Sequence, residues 1–300
     1  MPMKSLRPRH LAVVAVLIAA PLVPHPAQAP PTRPQPPKTM RLYVFDCGVI
    51  NVNRAGTERY KVTPEEVGET RFSVPCFLVA HPKGTLMWDL GILPDDTVEA
   101  RARGEQGNPT ATSPTVTTVP RTLRSQLAEL GYQPADITNF AFSHAHVDHN
   151  ANANQFAAST WLARPAERAF MWEEGNTRVN KTFFDQIKDS KTISLDRDEY
   201  DVFGDGKAIL KAAPGHSPGH QVLVLNLVQT GRVMIAGDLY HYPQERTLHR
   251  PPPDTEANVQ QSAASRLMIE EYLKRTKTTI WIEHDFVANA KLRKSPAFYD

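Results

Sequence analysis

The segment H-x-H-x-D-H at residues 144–149 constrains this chain more than any other feature, because it packs three histidines and an aspartate into six positions. Imidazole nitrogen and carboxylate oxygen are the ligands that suit Zn²⁺ and similar divalent cations. The apolar run at 140–142 predicts a strand before it, and alternation in an extended turn separates neighbouring ligands into two directions. A loop of solvated histidines would not explain this density. The pattern therefore predicts two metal positions, one taking His144 and His146 and the other taking Asp148 and His149.

This spacing resembles the signature of the metallo-β-lactamase superfamily, and further candidate ligands follow in the family's order over nearly the whole remaining chain. The resemblance assigns His216, within Pro214–His220, to the first metal ion and His284 to the second. It makes Asp238 the carboxylate that bridges the two ions. It also implies the family's α/β fold, an αββα sandwich of two mixed sheets flanked by helices.

Two further residues near these motifs have supporting roles in this interpretation. Asp89, in Trp88-Asp89-Leu90-Gly91, resembles the family's early D-x-G element, so we expect it to orient a metal-binding histidine rather than serve as a simple turn acid. His220 begins the strand after the second histidine motif, and we interpret it as structural.

Softer motifs favour one branch of the superfamily. β-Lactamases generally lack an aspartate at the position of Asp238, whereas glyoxalase II-like and lactonase-like members have one. The segments 41–48, 214–221 and 237–242 are similar to the N-acyl-homoserine lactonase family. The chain departs from that family at residues 150–152, where a glycine is usual soon after the H-x-H-x-D-H motif.

A second departure concerns the tyrosine that assists catalysis in the lactonases. It falls three residues after the bridging aspartate, where this chain has His241. Tyr240 and Tyr242 flank that position, and either hydroxyl could donate to a substrate carbonyl. Aromatic packing beside the site is an equally good interpretation of both tyrosines.

The function implied is hydrolysis of a lactone ester, of the N-acyl-homoserine lactone type, by hydroxide activated between two divalent metal ions, most simply zinc. Asp148 or the second metal ion would assist the leaving alkoxide. An organophosphate hydrolase or a glyoxalase II-like thioesterase of the same fold would use the same seven ligands. A zinc-binding module of the periplasm without catalysis is the non-enzyme alternative, although a structural zinc site typically takes only four ligands.

The N-terminal residues have the features of an export signal. Lys4, Arg7 and Arg9 precede an apolar run from Leu11 to Leu22, and small residues follow at 27–29. We interpret residues 1–29 as a removed signal peptide, 30–39 as a Pro-rich spacer and 40–300 as the catalytic domain of a periplasmic or secreted protein. A retained N-terminal anchor is the alternative.

Charge and apolar residues limit the partners of the mature chain. The leader holds three of the 34 Lys and Arg residues and none of the 32 acidic ones, so the rest is nearly neutral and gives no basis for binding nucleic acid or anionic membrane. A small-molecule ester is the expected partner, and a homodimer is possible. Several aromatic residues at 161–184 suit either an acyl pocket, the core or a dimer contact.

The element pattern is mixed α/β. Strands are predicted at 42–45, 72–80, 86–88, 222–227, 233–236 and 280–282, with helices after Pro120 and at about 256–274. The composition of residues 93–119 indicates a long surface loop that, with the segment 165–200, walls the substrate pocket. Cys47 and Cys76 are either a disulfide or two buried thiols, because sequence does not give their separation.

Overall fold

Thirteen strands make up two mixed sheets in the computed structural model, which describes residues 34–104 and 115–300. The predicted signal peptide and the first part of the predicted spacer lie outside the described residues. The larger sheet contains β1 (Arg41–Val52), β2 (Phe72–His81), β3 (Gly84–Trp88), β4 (Thr115–Thr118), β5 (Asn139–Ala141), β6 (Thr160–Ala163), β7 (Thr192–Ser194) and β13 (Phe298–Tyr299). The smaller sheet contains β8 (Glu199–Asp201), β9 (Ala208–Ala212), β10 (Gln221–Leu227), β11 (Gly231–Ile235) and β12 (Thr279–Trp281).

Strand direction changes within each sheet. The larger sheet runs β13-β1-β2-β3-β5-β6-β7, with β4 also paired to β1, and the smaller runs β12-β11-β10-β9-β8. Pairing is parallel from β3 through β5 and β6 to β7 and between β11 and β12, and antiparallel elsewhere. Two of the parallel pairs are β3 with β5 and β11 with β12. Because the two strands of a parallel pair end on the same side, the residues that follow them lie close together.

Helices connect many of the strands along the chain, and two of them, α3 (Leu123–Glu129) and α7 (Val259–Thr276), cover the outer faces of the two sheets. The longest, residues 259–276, begins at an Asn258 side chain that accepts from the Gln261 amide and ends at Lys277 in the left-handed region. Within the described residues, no helix combines the length and the apolar character that a bilayer crossing requires. The α-helices are α1 (Pro64–Val67), α2 (Asp95–Ala102), α3 (Leu123–Glu129), α4 (Val147–Asn150), α5 (Pro165–Trp172), α6 (Pro243–Thr247), α7 (Val259–Thr276) and α8 (Phe286–Asn289). Short 3₁₀ helices occupy Arg54–Tyr60, Pro134–Asp136, Ala153–Phe156, Lys181–Phe183, Asp185–Asp189 and Gly237–Leu239.

Side chains alternate between the two faces of each sheet, and three buried apolar clusters result, one between the sheets and one on each outer face. Leu42 and Val79 of the larger sheet share one cluster with Leu223 of the smaller sheet, so the two sheets pack face to face. The opposite faces are covered by helices. Phe45 packs in a cluster with Leu127 of α3, and residues of β10 and β11 pack with Ile269 and Leu273 of α7. The predicted αββα sandwich is confirmed.

The segment 93–119 is not the irregular loop that its composition predicts. It contains α2 and β4, while residues 105–114 lie outside the described part. The buried carboxylate of Asp95, at the start of α2, accepts from the amides of Leu123 and Arg124, each at 2.8 Å. β4 pairs with Val49–Val52 through its backbone. Both elements depend on distant partners rather than on an apolar stripe, so periodicity does not reveal them.

Cys47 and Cys76 form a disulfide, which settles the alternative that the sequence left open. They lie on the neighbouring strands β1 and β2, with their Cα atoms 5.8 Å apart, and both are buried. Cys47 also lies beneath the turn at Gly91, where a side chain would come within 3.1 Å of the Cys47 Cβ. The disulfide therefore underlies the turn that carries Asp89.

Replacing both cysteines by alanine should lower the free energy of unfolding by about 2–4 kcal/mol, because the bond closes a 29-residue segment and restricts the unfolded chain. Urea denaturation of wild type and the double variant, followed by circular dichroism, would measure this difference. Wild type in strong reductant is the control, and its urea midpoint should shift towards that of the variant. Identical urea midpoints for the oxidised wild type and the variant would contradict the prediction.

Candidate metal centre

The candidate ligands converge at one edge of the sandwich because each follows the carboxyl end of a strand. Residues 143–149 follow β5, while β9, β11 and β12 lead to His216, Asp238 and His284. Asp89 follows β3, next to β5. Ligands that are separated by up to 140 positions in the sequence, from His144 to His284, thus share one site.

Three imidazoles form the first ligand group. Nδ1 of His146 lies 2.8 Å from Nε2 of His144 and 2.9 Å from Nε2 of His216, and those two Nε2 atoms are 3.2 Å apart. Burial is the main cause that lowers the pKa of each imidazole well below its ordinary value. The rings are thereby kept neutral, which is the form that coordinates a metal.

The second ligand group contains Asp148, His149 and His284. Oδ2 of Asp148 lies 3.7 Å from Nε2 of His149 and 3.5 Å from Nε2 of His284. Both histidines are buried, whereas the Asp148 side chain is partly open to the pocket. Sequence reasoning placed these residues on one metal ion, and the structure brings them together.

The carboxylate of Asp238 lies between the two groups, and its oxygens face different ways. Oδ2 is 3.6 Å from His144 Nε2 and 3.3 Å from His216 Nε2. Oδ1 is 3.1 Å from the Nε2 atoms of both His149 and His284. Burial opposes ionisation of Asp238, but the histidines around it, His284 and His149 first, hold the pKa of its carboxyl well below the usual range.

These residues fit a pair of divalent cations. Among the described residues, Asp238 Oδ1 and His149 Nε2 are buried without a hydrogen-bond partner, although they face each other at 3.1 Å. Unpaired buried polar atoms cost free energy unless a ligand satisfies them. Nitrogen and carboxylate donors in two adjoining groups are the chemistry of a two-metal site.

Hydrogen bonds on the far side of the rings fix the orientation of three histidines. Nδ1 of His149 donates to Asp89 Oδ2 at 2.9 Å, and Nδ1 of His284 donates to the Ser73 carbonyl at 2.9 Å. Nδ1 of His216 lies 3.2 Å from Glu256 Oε1. Each bond leaves Nε2 free to face the centre. The Asp89 carboxylate also accepts from the amide of Ser143, at 2.6 Å, which ties it to the first ligand loop.

Glu167 joins two ligand loops, although no motif points to it. Its carboxylate accepts from the amide of Ala145 at 2.6 Å in the H-x-H-x-D-H loop. It also accepts from the Ser217 hydroxyl at 2.6 Å and the Gly219 amide at 2.8 Å in the second histidine loop. A side chain at Gly219 would come within 2.5 Å of the Glu167 backbone nitrogen, so glycine is needed there.

Glu283 and His220 hold the turn that carries the bridging carboxylate. Glu283 accepts from the Gly237 amide at 2.9 Å, and the ring of His220 accepts from the Asp238 amide at 3.1 Å. The other nitrogen of His220 donates to the Ala213 carbonyl, so the ring is satisfied on both sides, as its structural interpretation requires. Burial, followed by the nearby Asp89 charge, raises the pKa of Glu283 well above its usual value.

Comparison with known proteins decides the family. Residues 70–274 match the metallo-beta-lactamase superfamily. This chain belongs to that superfamily. It is 27% identical over 266 residues to the N-acyl homoserine lactonase AttM of Azorhizobium caulinodans, which covers 87% of this chain and 99% of the relative. It is 27% identical over 269 residues to AttM of Rhizobium radiobacter, covering 87% and 98%.

Solved structures share the fold at lower identity. An N-acyl homoserine lactone hydrolase with N-hexanoyl-L-homoserine at its metal centre superposes with a TM-score of 0.69 at 22% identity, covering 86% of this chain and 98% of the other. AidC, a dizinc quorum-quenching lactonase, gives a TM-score of 0.56 at 16% identity, covering 87% and 94%. The shared architecture and the donor set assign divalent metal ions to the centre of this superfamily member.

The two tyrosines after the bridging aspartate are not placed to act on a substrate. The Tyr240 hydroxyl donates to Glu270 at 3.1 Å, and the Tyr242 hydroxyl donates to the Thr70 carbonyl at 2.8 Å. Neither residue lines the cavity over the metal ligands. The geometry therefore favours the packing interpretation of both, and His241 between them lies 3.2 Å from Asp238 Oδ2 through Nε2.

A cavity of about 440 Å³ opens over the ligands of this metallo-β-lactamase-superfamily chain. Its apolar wall comes largely from the end of β1, from the 3₁₀ helix Arg54–Tyr60 and from the start of β2, and its rim carries Arg59 and Arg178. Sequence reasoning missed the segment 50–60, because it has no motif and only a short β-branched run. The apolar wall is Ile50, Val52, Tyr60, Phe72 and Val147.

The two segments expected to wall this pocket contribute little. Arg178 is the sole lining residue from 165–200, and no described residue of 93–119 lines the cavity. The large apolar residues of 161–184 pack instead on the helix-covered face of the larger sheet. They are buried or partly buried in one cluster with Phe140: Trp161, Phe170, Met171, Trp172, Phe183 and Phe184.

Replacing Asp89 by asparagine should weaken the second metal position about 10- to 100-fold and leave the first nearly unchanged. Asparagine offers one acceptor oxygen, whereas Asp89 uses Oδ1 for the Ser143 amide and Oδ2 for His149 Nδ1. The Ser143 hydroxyl, 2.9 Å from Oδ2, can accept from the new amide nitrogen, whereas the Ser143 backbone amide needs the remaining oxygen, so the bond to His149 is the one lost. Metal content after dialysis against graded chelator would show two ions falling to one.

The matched control is Asp205→Asn, because Asp205 also pairs with a buried histidine, His81, at 3.0 Å but lies away from the centre. That variant should keep both ions at every chelator concentration at which wild type does. Equal loss of both ions from Asp89→Asn, or loss of neither, would contradict the assigned role.

Proposed function

We propose that this chain hydrolyses the ester bond of lactones of the N-acyl-homoserine type, using two zinc ions held by the seven ligands. The observation that carries the proposal is the Asp238 carboxylate, whose two oxygens face two separate ligand groups. The AttM relatives, named as N-acyl homoserine lactonases and matched over nearly their whole length, support the substrate class. Zinc is proposed from the ligand chemistry of imidazole and carboxylate.

The bound metal ions would lower the pKa of a water molecule between them and polarise the ester carbonyl. The protein supplies the rest. Asp238 holds the two ligand groups at a fixed separation, while Asp89 and the Ser73 carbonyl keep His149 and His284 in the tautomer that offers Nε2. Asp148 lines the cavity, so its carboxylate is placed to accept the proton that the attacking water loses and to pass that proton to the alkoxide oxygen that leaves.

The cavity also favours an acyl substrate over a purely metal-storing role. A structural zinc site is closed, whereas this centre opens into a cavity with an apolar wall. An apolar wall beside the centre suits the acyl part of a lactone. The ligands alone would serve an organophosphate hydrolase or a glyoxalase II-like thioesterase equally well, so substrate tests must separate these activities.

Zinc-loaded protein should open N-acyl-homoserine lactones faster than it hydrolyses S-lactoylglutathione or paraoxon, as measured by pH-stat or chromogenic assays on one panel. His146→Ala should lower the rate of lactone opening by at least about 100-fold, because the substitution removes a ligand from the first group.

His249→Asn is the matched control for that variant. His249 is exposed, lies outside the cavity and has a φ of 52°, a conformation that asparagine tolerates. If the thioester or paraoxon is the preferred substrate, the metal centre stands but the lactonase proposal fails. Equal rates before and after EDTA treatment would support the zinc-binding module instead.

We also propose export through a signal peptide at residues 1–29, followed by cleavage and function in the periplasm or outside the cell. The Cys47–Cys76 disulfide supports this location, because such bonds persist in oxidising compartments. The charged start and apolar run of the leader support it independently.

Full-length protein expressed in a Gram-negative host should appear in the periplasmic fraction with its N-terminus at Pro30. Val16→Asp, which places a charge in the apolar run, should keep the uncleaved chain in the cytoplasm. The conservative control is Val16→Leu, which preserves the apolar run and should be exported. Uncleaved wild type in the membrane fraction would favour the retained anchor.

A further inference from the structure

Ester hydrolysis places negative charge on the former carbonyl oxygen, and a fixed hydrogen-bond donor beside that oxygen accelerates the reaction. The residues after the bridging aspartate do not supply one here. His241 directs Nε2 at the Asp238 carboxylate, and the hydroxyls of Tyr240 and Tyr242 donate to other protein groups. A hydrogen-bond donor that assists the metal ions at this oxygen would therefore come from another wall of the cavity.

Tyr60 occupies such a wall. It is the last residue of the 3₁₀ helix Arg54–Tyr60, is only 3% exposed, and lines the cavity together with ligands of both groups. Its ring centroid lies 4.3 Å from that of His241 and 5.5 Å from that of Phe72. Since His241 itself contacts Asp238, the phenol is one ring away from the bridging carboxylate.

The Tyr60 hydroxyl is oriented by a cation. Arg59 donates from Nη2 to the hydroxyl oxygen, and its guanidinium carbon lies 4.6 Å from the centre of the same ring. The oxygen is thus used as an acceptor, and the hydrogen bonds of the described residues include no acceptor for the phenolic hydrogen. Burial raises the pKa of Tyr60 well above its usual value, so the phenol keeps that hydrogen. Tyr60 and Arg59 both line the cavity, so this pair supplies a polarised donor at its wall.

We propose that Tyr60 donates its phenolic hydrogen to the carbonyl oxygen of the bound ester, with Arg59 orienting and polarising the phenol. No bond to Tyr60 forms or breaks, and the proton stays on the phenol while the hydrogen bond strengthens as charge develops on the carbonyl oxygen. The inference rests on the proposed ester hydrolysis. In this proposal the donor comes from the connection between β1 and β2. The two tyrosines after Asp238 cannot take this role, because their hydroxyls donate to other protein groups.

Tyr60→Phe should lower kcat for lactones about 10- to 100-fold with little change in KM, because the donor acts on charge that develops in the transition state. Metal content should remain two ions per chain. Affinity for a phosphonate analogue of the tetrahedral adduct, measured by calorimetry, should fall by a similar factor.

Tyr242→Phe is the matched control. Its ring packs 5.6 Å from that of Tyr60 in the same aromatic cluster, but its hydroxyl donates to the Thr70 carbonyl. This variant should keep kcat and phosphonate affinity near the wild-type values. Equal effects of the two substitutions would show that Tyr60 acts only through packing, and would overturn the proposal.

Two further measurements locate the donor. The loss in Tyr60→Phe should be similar for a lactone and for a 4-nitrophenyl ester, since both have the same carbonyl oxygen. A loss confined to the lactone would place the phenol at the leaving oxygen and overturn the assignment. Arg59→Met should also reduce kcat, but much less in the Tyr60→Phe background than in wild type, whereas additive losses would mean that Arg59 does not act through Tyr60.

The phosphonate measurement separates this inference from the proposed function. If wild type hydrolyses none of the esters, the lactonase proposal fails on its own. Zinc-loaded wild type and Tyr60→Phe that bind the phosphonate equally would then still overturn the role of Tyr60, and weaker binding by the variant would support it.

Discussion

The carboxylate of Asp238 is the contact on which this structure depends. Each of its oxygens faces a different pair of candidate ligand imidazoles, at 3.1–3.6 Å, and the side chain is almost wholly buried. A buried, ionised carboxylate costs several kcal/mol unless its partners are in place. Those partners follow β5, β9 and β12, so the site is complete only when both sheets have assembled around it.

A network of buried carboxylates keeps the ligand loops in register. Glu167 connects the two histidine loops, Asp89 connects β3 to the loop after β5, and Glu283 connects β12 to the Gly237 turn. Gly237 has a φ of +50°, and a side chain there would come within 2.5 Å of the Ser143 Cβ. Packing alone would leave these loops free to adjust by more than a metal–ligand bond tolerates, so polar contacts supply the final positioning.

The candidate metal ligands and the apolar wall of the cavity come from different parts of the chain. The candidate metal ligands follow strand ends, whereas the apolar wall opposite them is built mostly by the end of β1, a 3₁₀ helix and the start of β2. This division separates the candidate ligands from the residues that shape the cavity wall, among them Tyr60 and Arg59.

The sequence by itself determined the seven candidate ligands, their division into two groups, and the layered α/β fold, because ligand chemistry and strand alternation are local properties that spacing records. It could not reveal Glu167 or Glu283 as partners of the ligand loops, nor the helix α2, since these depend on contacts between residues far apart in the chain. Tertiary structure also decided the Cys47–Cys76 disulfide and directed the hydroxyls of Tyr240 and Tyr242 away from the cavity. Side-chain direction and long-range distance arise only when the sheets pack, and that is why Tyr60, rather than a tyrosine beside the bridging aspartate, lines the cavity.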